Sequence, residues 1–273
     1  MATKADWQEA TGKAWAENIR LTDRAFSGLT QIMLERLAGI PGDHILDIGC
    51  GGGELSLALA EARRKAEVTG IDISRDLVEA AQLCAGACPN VRFELADAAH
   101  WRKDGFPPDL LVSRHGVMFF DDPISAFAHF REISAEGAQL FFSCFRSPQL
   151  NVWASEAAGL LELPPPPDPY APGPFALAEE DHVRSILVKA GWRDIAVHPV
   201  DFRFVTGAGP DPLAEALHFF TRIGPAARAM KTMEEDEQAE ALQRLQRWLT
   251  TRRSDDLIAL PAAAWIVTAR RRD

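Results

Sequence analysis

Basic residues are in short supply: Lys and Arg number 29 against 39 Asp and Glu, for a net charge of -10. A surface of that sign repels phosphate backbones, so nucleic acid is not expected as a partner. No uninterrupted apolar run reaches the about 18 residues that a membrane span needs. The opening stretch MATKADWQEATGKAW has no apolar segment of the secretory-signal kind. Cysteine is sparse, and Cys50, Cys84, Cys88 and Cys144 follow neither a disulfide framework nor a zinc-ribbon spacing. Cys84 and Cys88 lie one helical turn apart, but with no companion His or Cys their expected role is helix packing. His44, His182, His198 and His218 form no H-E-x-x-H pattern. The expectation is therefore no metal, no membrane and a reduced, cytoplasmic setting. Internal repeats are lacking as well.

What is present is an ordinary globular composition, 47% hydrophobic and 25% charged, on 273 residues that can bury a full core. Helical patterns occupy residues 7–18 and 25–37, the second with Phe26, Leu29, Ile32 and Met33 on one face. Short apolar runs at 45–48, 67–71, 91–95, 109–113 and 139–145 read as buried strands. Helical patterns separate them, with Ser74 as one N-cap and Asp122 followed by Pro123 as another. Strands alternating with helices imply a mostly parallel, doubly wound α/β sheet. The segment LPPPPDPYAPGPF is too proline-rich for helix or central strand and is expected to run semi-extended, closing over a pocket. A helix over 179–190, a strand over 195–200, a helical stretch over 212–253 and a last strand over 264–269 complete the pattern.

Between the first strand and its helix stands DIGCGGGE, with glycines at 49, 51, 52 and 53. In a doubly wound sheet, ligands bind beyond the carboxyl ends of the strands. Glycine there permits positive φ and lets a ligand approach the backbone, and the following helix offers unpaired N–H groups. A dinucleotide loop requires G-x-G-x-x-G, but Glu54 stands where the last glycine belongs and brings the wrong charge for a pyrophosphate.

The spacing Asp47-x-Gly49-x-Gly51-x-Gly53 is complete instead, and here the sequence resembles the class I S-adenosylmethionine-dependent methyltransferases. The resemblance implies S-adenosyl-L-methionine as cofactor and a Rossmann-like, seven-stranded sheet in a single domain over 1–273. That domain divides into an N-terminal helical cap (1–42), a cofactor-binding core (43–145), a proline-rich lid (146–178) and a C-terminal half (179–273). A helical insertion before the last strand spans about 207–260. Asp47, Gly49, Cys50, Gly51 and Gly53 correspond to the family's glycine motif. In GIDIS, Asp72 and Ile73 correspond to its ribose-binding strand end. Asp97 and Ala98 in ELADAAHW correspond to its adenine contact. In VSRHGVMFFDDP, Ser113 and Arg114 fall where the family borders the methionine part of the cofactor. Similarity to bacterial small-molecule methyltransferases runs through this stretch and LPAAAWIVTAR. No Asn-Pro-Pro-Tyr motif follows the fourth strand, which disfavours methylation of base or glutamine amide nitrogen.

A small-molecule acceptor is the implied partner. His115, Phe119 and Trp153 are the expected acceptor-side residues, joined by Tyr170, Phe175, Phe219, Phe220 and Ile223. His115 is the candidate general base, which works best with a pKa near neutrality; packing on Phe119 is its alternative role. Arg114 is expected either on the cofactor carboxylate or paired with an acid such as Asp121. The helical stretch near the C-terminus suggests a cap or a homodimer interface. A cofactor-binding protein without transfer and a nicotinamide oxidoreductase stand as rivals.

Overall fold

The computed structural model describes residues 4–164 and 167–272; residues 1–3, 165–166 (within the expected proline-rich lid) and 273 lie outside the described residues. The N-terminal pattern resolves into three helices, α1 (Lys4–Gln8), α2 (Ala10–Glu17) and α3 (Ile19–Leu37). The first expected helix breaks at Glu9, whose backbone leaves the helical region. The next begins six residues earlier than its apolar stripe announced. Its buried face carries Phe26, Leu29 and Met33 as expected.

The parallel core alternates strand and helix in the order β1 (His44–Ile48), α4 (Glu54–Ala62), β2 (Glu67–Asp72), α5 (Arg75–Ala85), β3 (Val91–Leu95), β4 (Leu110–Arg114), α6 (Pro123–Ile133) and β5 (Gln139–Phe145). β1, β2, β4 and β5 are buried almost throughout, as strands covered on both faces must be. Ser74 accepts the Leu77 amide to start α5, and Asp122 accepts the Ser125 amide ahead of Pro123. Both caps match the sequence expectation.

α7 (Val152–Leu160) and α8 (Glu180–Lys189) lead to a long hairpin of β6 (Arg193–Ala208) and, after a helical excursion, β8 (Leu257–Arg270). The excursion holds α9 (Pro212–Arg222), α10 (Gly224–Met230), α11 (Glu235–Arg252) and the two-residue β7 (Arg253–Ser254). Sheet order is β3-β2-β1-β4-β5-β8-β6, with β7 appended to β8 as an eighth strand beside the seven expected. The last two strands are far longer than expected. β8 outruns β5, whose pairing ends at Phe145 opposite Ala264. Asn151, fully buried, takes over that edge by exchanging hydrogen bonds with the Ala263 backbone. Pro261 lies in this overhang, and Pro199 lies on the edge strand β6, the positions where a missing N–H is tolerated.

Strand order reverses between β1 and β4, and a crevice opens at their carboxyl ends. The two loops there touch backbone to backbone: a Cβ on Gly116 would stand 2.6 Å from the Ile48 carbonyl oxygen and 2.9 Å from the Gly49 Cα.

Candidate active site

A cavity of about 490 Å³ fills this crevice. Its floor is the glycine loop. Gly51, at φ +55, has no atom within 4 Å of the place a Cβ would take, so a side chain there would project into open space rather than packing. The expected residues Asp47, Gly49, Cys50, Gly51, Asp72, Ile73, Asp97, Ala98, Arg114, His115 and Phe119 all line it.

Gly53 and Ser113 do not line the cavity. Gly53, at φ +87, backs onto the Phe93 ring, where a Cβ would approach within 2.6 Å. Ser113 donates its hydroxyl to the Ile48 carbonyl at 2.7 Å and accepts the Gly116 amide at 3.2 Å, tying the two loops together.

Three carboxylates mark the cavity. Asp47 is buried and accepts the Ser56 hydroxyl at 2.6 Å through Oδ2, while Oδ1 has no partner. Burial lifts its pKa from 3.8 to about 6, against the Ser56 hydrogen bond. An unpaired oxygen on a buried acid favours a cationic ligand group. Asp72 accepts the Gly51 and Ser74 amides, each at 2.9 Å, so it shapes the loop while facing the lumen. Burial raises its pKa, and these amides oppose the rise. Asp97 accepts the Lys4 ammonium at 2.6 Å and the Ala99 amide at 3.0 Å. Burial pushes its pKa up, but the Lys4 and Ala99 bonds outweigh this and leave it lowered. Lys4 and Trp7 bring α1 over this end of the cavity.

Arg114 lies against Glu54, hydrogen-bonds the Thr30 hydroxyl at 2.6 Å and stands 3.5 Å from Asp23. Of the two expected settings it thus takes the paired one, but with Glu54 and Asp23 in place of Asp121. The glutamate that spoils a dinucleotide motif has a use here as the partner of an arginine. Burial raises Asp23 to about 6, against the pull of Arg114 and with Glu54 adding to the rise.

His115 closes the inner end. It adopts φ +67, rare for a residue with a side chain, and stacks on Phe145 with ring centroids 4.1 Å apart. Nδ1 lies 3.2 Å from the Ser143 hydroxyl, and Nε2 is buried without a partner. Burial lowers its pKa to about 3, with Arg114 acting in the same direction. That departs from the near-neutral value expected of a general base.

Beyond His115 lies a second, smaller chamber of about 80 Å³ that shares Trp15, Phe26, His115 and Phe119 with the first. Trp153, Phe219, Phe220 and Ile223 line it as expected. Phe175 stacks on Trp153 at 5.9 Å behind the wall. Tyr170 is instead exposed, stacked on His182 and bonded to Glu179. Nearby, Trp101 and His129 make structural contacts: Trp101 donates to Glu94, and the His129 ring bonds the Trp101 carbonyl. Sequence reasoning missed Lys4, Trp7, Trp15, Asp23 and Ser143. Phe26 was visible only as part of a helix's core face.

Residues 20–197 match the family model for a methyltransferase domain. The chain belongs to that family, the class I S-adenosylmethionine-dependent methyltransferases, and the cofactor of its site is S-adenosylmethionine. A ubiquinone biosynthesis O-methyltransferase of Coxiella burnetii is 32% identical over 111 residues, 40% of this chain and 47% of that one. One of Aromatoleum aromaticum is 34% identical over 112 residues, again 40% and 47%. The chain thus spans about half the length of these curated relatives. Among solved structures, the Synechocystis magnesium protoporphyrin IX methyltransferase with bound S-adenosylhomocysteine shares the fold at TM-score 0.56 and 17% identity, over 98% of this chain and 97% of that one.

Proposed function

We propose that the protein transfers a methyl group to an oxygen of a small, flat, largely apolar acceptor held in the inner chamber. The observation that carries this reading is the junction of two cavities at His115. One is floored by the glycine loop and bordered by the buried Asp47, and the other is walled by aromatic rings.

Bound S-adenosylmethionine supplies a methyl carbon activated by attachment to a sulfonium sulfur. Around it, the buried Asp47 balances the charge of the ammonium from behind the glycine loop. Asp72 takes the ribose hydroxyls in a fork, and Asp97 with Ala98 borders the adenine. Arg114, committed to Glu54 and Asp23, stiffens the wall between β4 and α3 instead of reaching for a carboxylate.

The inner chamber excludes water and orients the acceptor, and such positioning contributes roughly 7–11 kcal/mol in well-aligned systems. Its side chains are hydrocarbon or thioether apart from His115 and the indoles of Trp15 and Trp153. Trp153 already donates to Asn151 at 3.3 Å. A charged acceptor buried there would lack compensation. That the curated relatives are O-methyltransferases supports oxygen as the receiving atom.

A methyl-labelled donor offered with a panel of phenols, aliphatic amines and carboxylates tests the reading. Label on phenols is the expected result. Label on amines alone would overturn the oxygen assignment, and cofactor binding with no labelled acceptor would favour a binding protein.

A further inference from the structure

Sheet order fixes which charged groups can meet the amino-acid end of the cofactor. Asp97 follows β3 and Asp72 ends β2, so with adenine and ribose at these two acids the cofactor lies across the sheet in the order β3-β2-β1-β4. Its methionine part then lies over the carboxyl ends of β1 and β4. The charged side chains lining that end are Asp47 from β1, Arg114 from β4 and Asp23 from α3. Asp121 and Asp122 also line the cavity, but on the exposed turn ahead of α6, where Asp122 is engaged as the cap.

Asp47 is only 1% exposed, so it acts on a ligand charge at a distance and not by contact. The Asp23 side chain keeps 31% of its surface and borders the cavity. Arg114 does not saturate it. The guanidinium lies against Glu54 and reaches the Thr30 hydroxyl at 2.6 Å, whereas Asp23 stands off at 3.5 Å. That is beyond the roughly 2.7–2.9 Å of a charge-assisted hydrogen bond. Two carboxylates thus share one guanidinium, and when both are ionised one negative charge is left over at the cavity wall. Burial, with Glu54 adding to it and Arg114 opposing, lifts the Asp23 pKa to about 6 in the empty protein. A cation beside Asp23 would favour its ionised form.

We infer that Asp23 is a cofactor-binding residue whose carboxylate accepts a hydrogen bond from the ammonium of S-adenosylmethionine, completing an alternating row of Glu54, Arg114, Asp23 and ammonium. This rests on reading Asp72 and Asp97 as the ribose and adenine contacts. Arg114 then holds Asp23 toward the cavity and needs no cofactor contact of its own. Helix α3 also carries Phe26, which borders both chambers, so one helix serves the cofactor site and the acceptor wall.

Calorimetry of the full chain at pH 7.5 with three ligands tests the contact: S-adenosylhomocysteine, its deaminated analogue with hydrogen in place of the ammonium, and 5′-methylthioadenosine, which lacks the amino acid. Asp23→Asn should bind S-adenosylhomocysteine roughly 10-fold more weakly. It should bind the other two like the unsubstituted protein, which also shows that the variant is folded. Equal weakening of the deaminated analogue, or no weakening of S-adenosylhomocysteine, would overturn the inference. Asp72→Asn should weaken all three ligands alike. If it spares 5′-methylthioadenosine, the ribose placement fails and the inference with it. If Asp72→Asn behaves as expected and Asp23→Asn does not, the Asp23 contact alone is refuted.

Discussion

Asp47 shows how a single residue can be poor for the empty fold and useful to the ligand. Its carboxylate is buried with one oxygen unpaired, and its pKa rises from 3.8 to about 6. Because the folded-state value is the higher one, the favourable contribution belongs to the protonated acid and is lost as pH rises through about 6. Asp47→Asn should therefore stabilise the ligand-free protein at pH 7.5 by up to about 3 kcal/mol in urea unfolding, with the gain shrinking toward pH 4. The same variant should bind S-adenosylhomocysteine more weakly by calorimetry, since a neutral amide no longer balances the ammonium. Asp72 makes the complementary case. Asp72→Asn should lower that affinity by roughly 10- to 150-fold, the loss of about 1.5–3 kcal/mol carried by charge-assisted hydrogen bonds. Both acids were legible in the sequence because their spacing follows the local path of one strand and one turn. Asp23 and Ser143 were not: each matters through a partner far along the chain, Arg114 for one and His115 for the other.

Among the elements, the glycine loop and the turn after β4 act as a pair. Gly116→Ala would drive a Cβ against the Ile48 carbonyl, which is backbone and cannot swing aside. The expected cost is about 1–3 kcal/mol of stability, typical of overpacking, measured in denaturant, together with weaker cofactor binding as the loops separate. Helix α1 behaves differently. It buries no residue, yet Trp7 meets Trp15 at 5.3 Å and Phe119 at 5.0 Å over the cavity. Trp7→Ala should leave the melting temperature nearly unchanged while speeding cofactor dissociation roughly tenfold in stopped-flow, since such ring pairs contribute about 0.5–1.5 kcal/mol each. The parallel strands were readable to within a residue or so, because buried runs bounded by turns announce themselves. The β6–β8 hairpin was readable only over 195–200 and 264–269, less than half of its length. Pro261 speaks against strand locally, and only the pairing geometry shows β8 running through it beyond the end of β5.

At the scale of the whole molecule, the sheet carries two cavities whose boundary is one strained histidine. The first half of the chain supplies the cofactor side. α3, α7, β6, α9 and α10 join β5 around the inner chamber, so residues far apart in sequence meet there. This is why the donor site was readable from motifs while the acceptor wall was visible only as scattered aromatic residues. The crevice should bind S-adenosylmethionine in preference to a dinucleotide, which isothermal titration calorimetry of the full chain can measure. Stoichiometric binding of S-adenosylmethionine and S-adenosylhomocysteine, weakened by Asp72→Asn, with no heat from NAD, is the expected result. Tight binding of NAD with no response to either sulfur compound would contradict it.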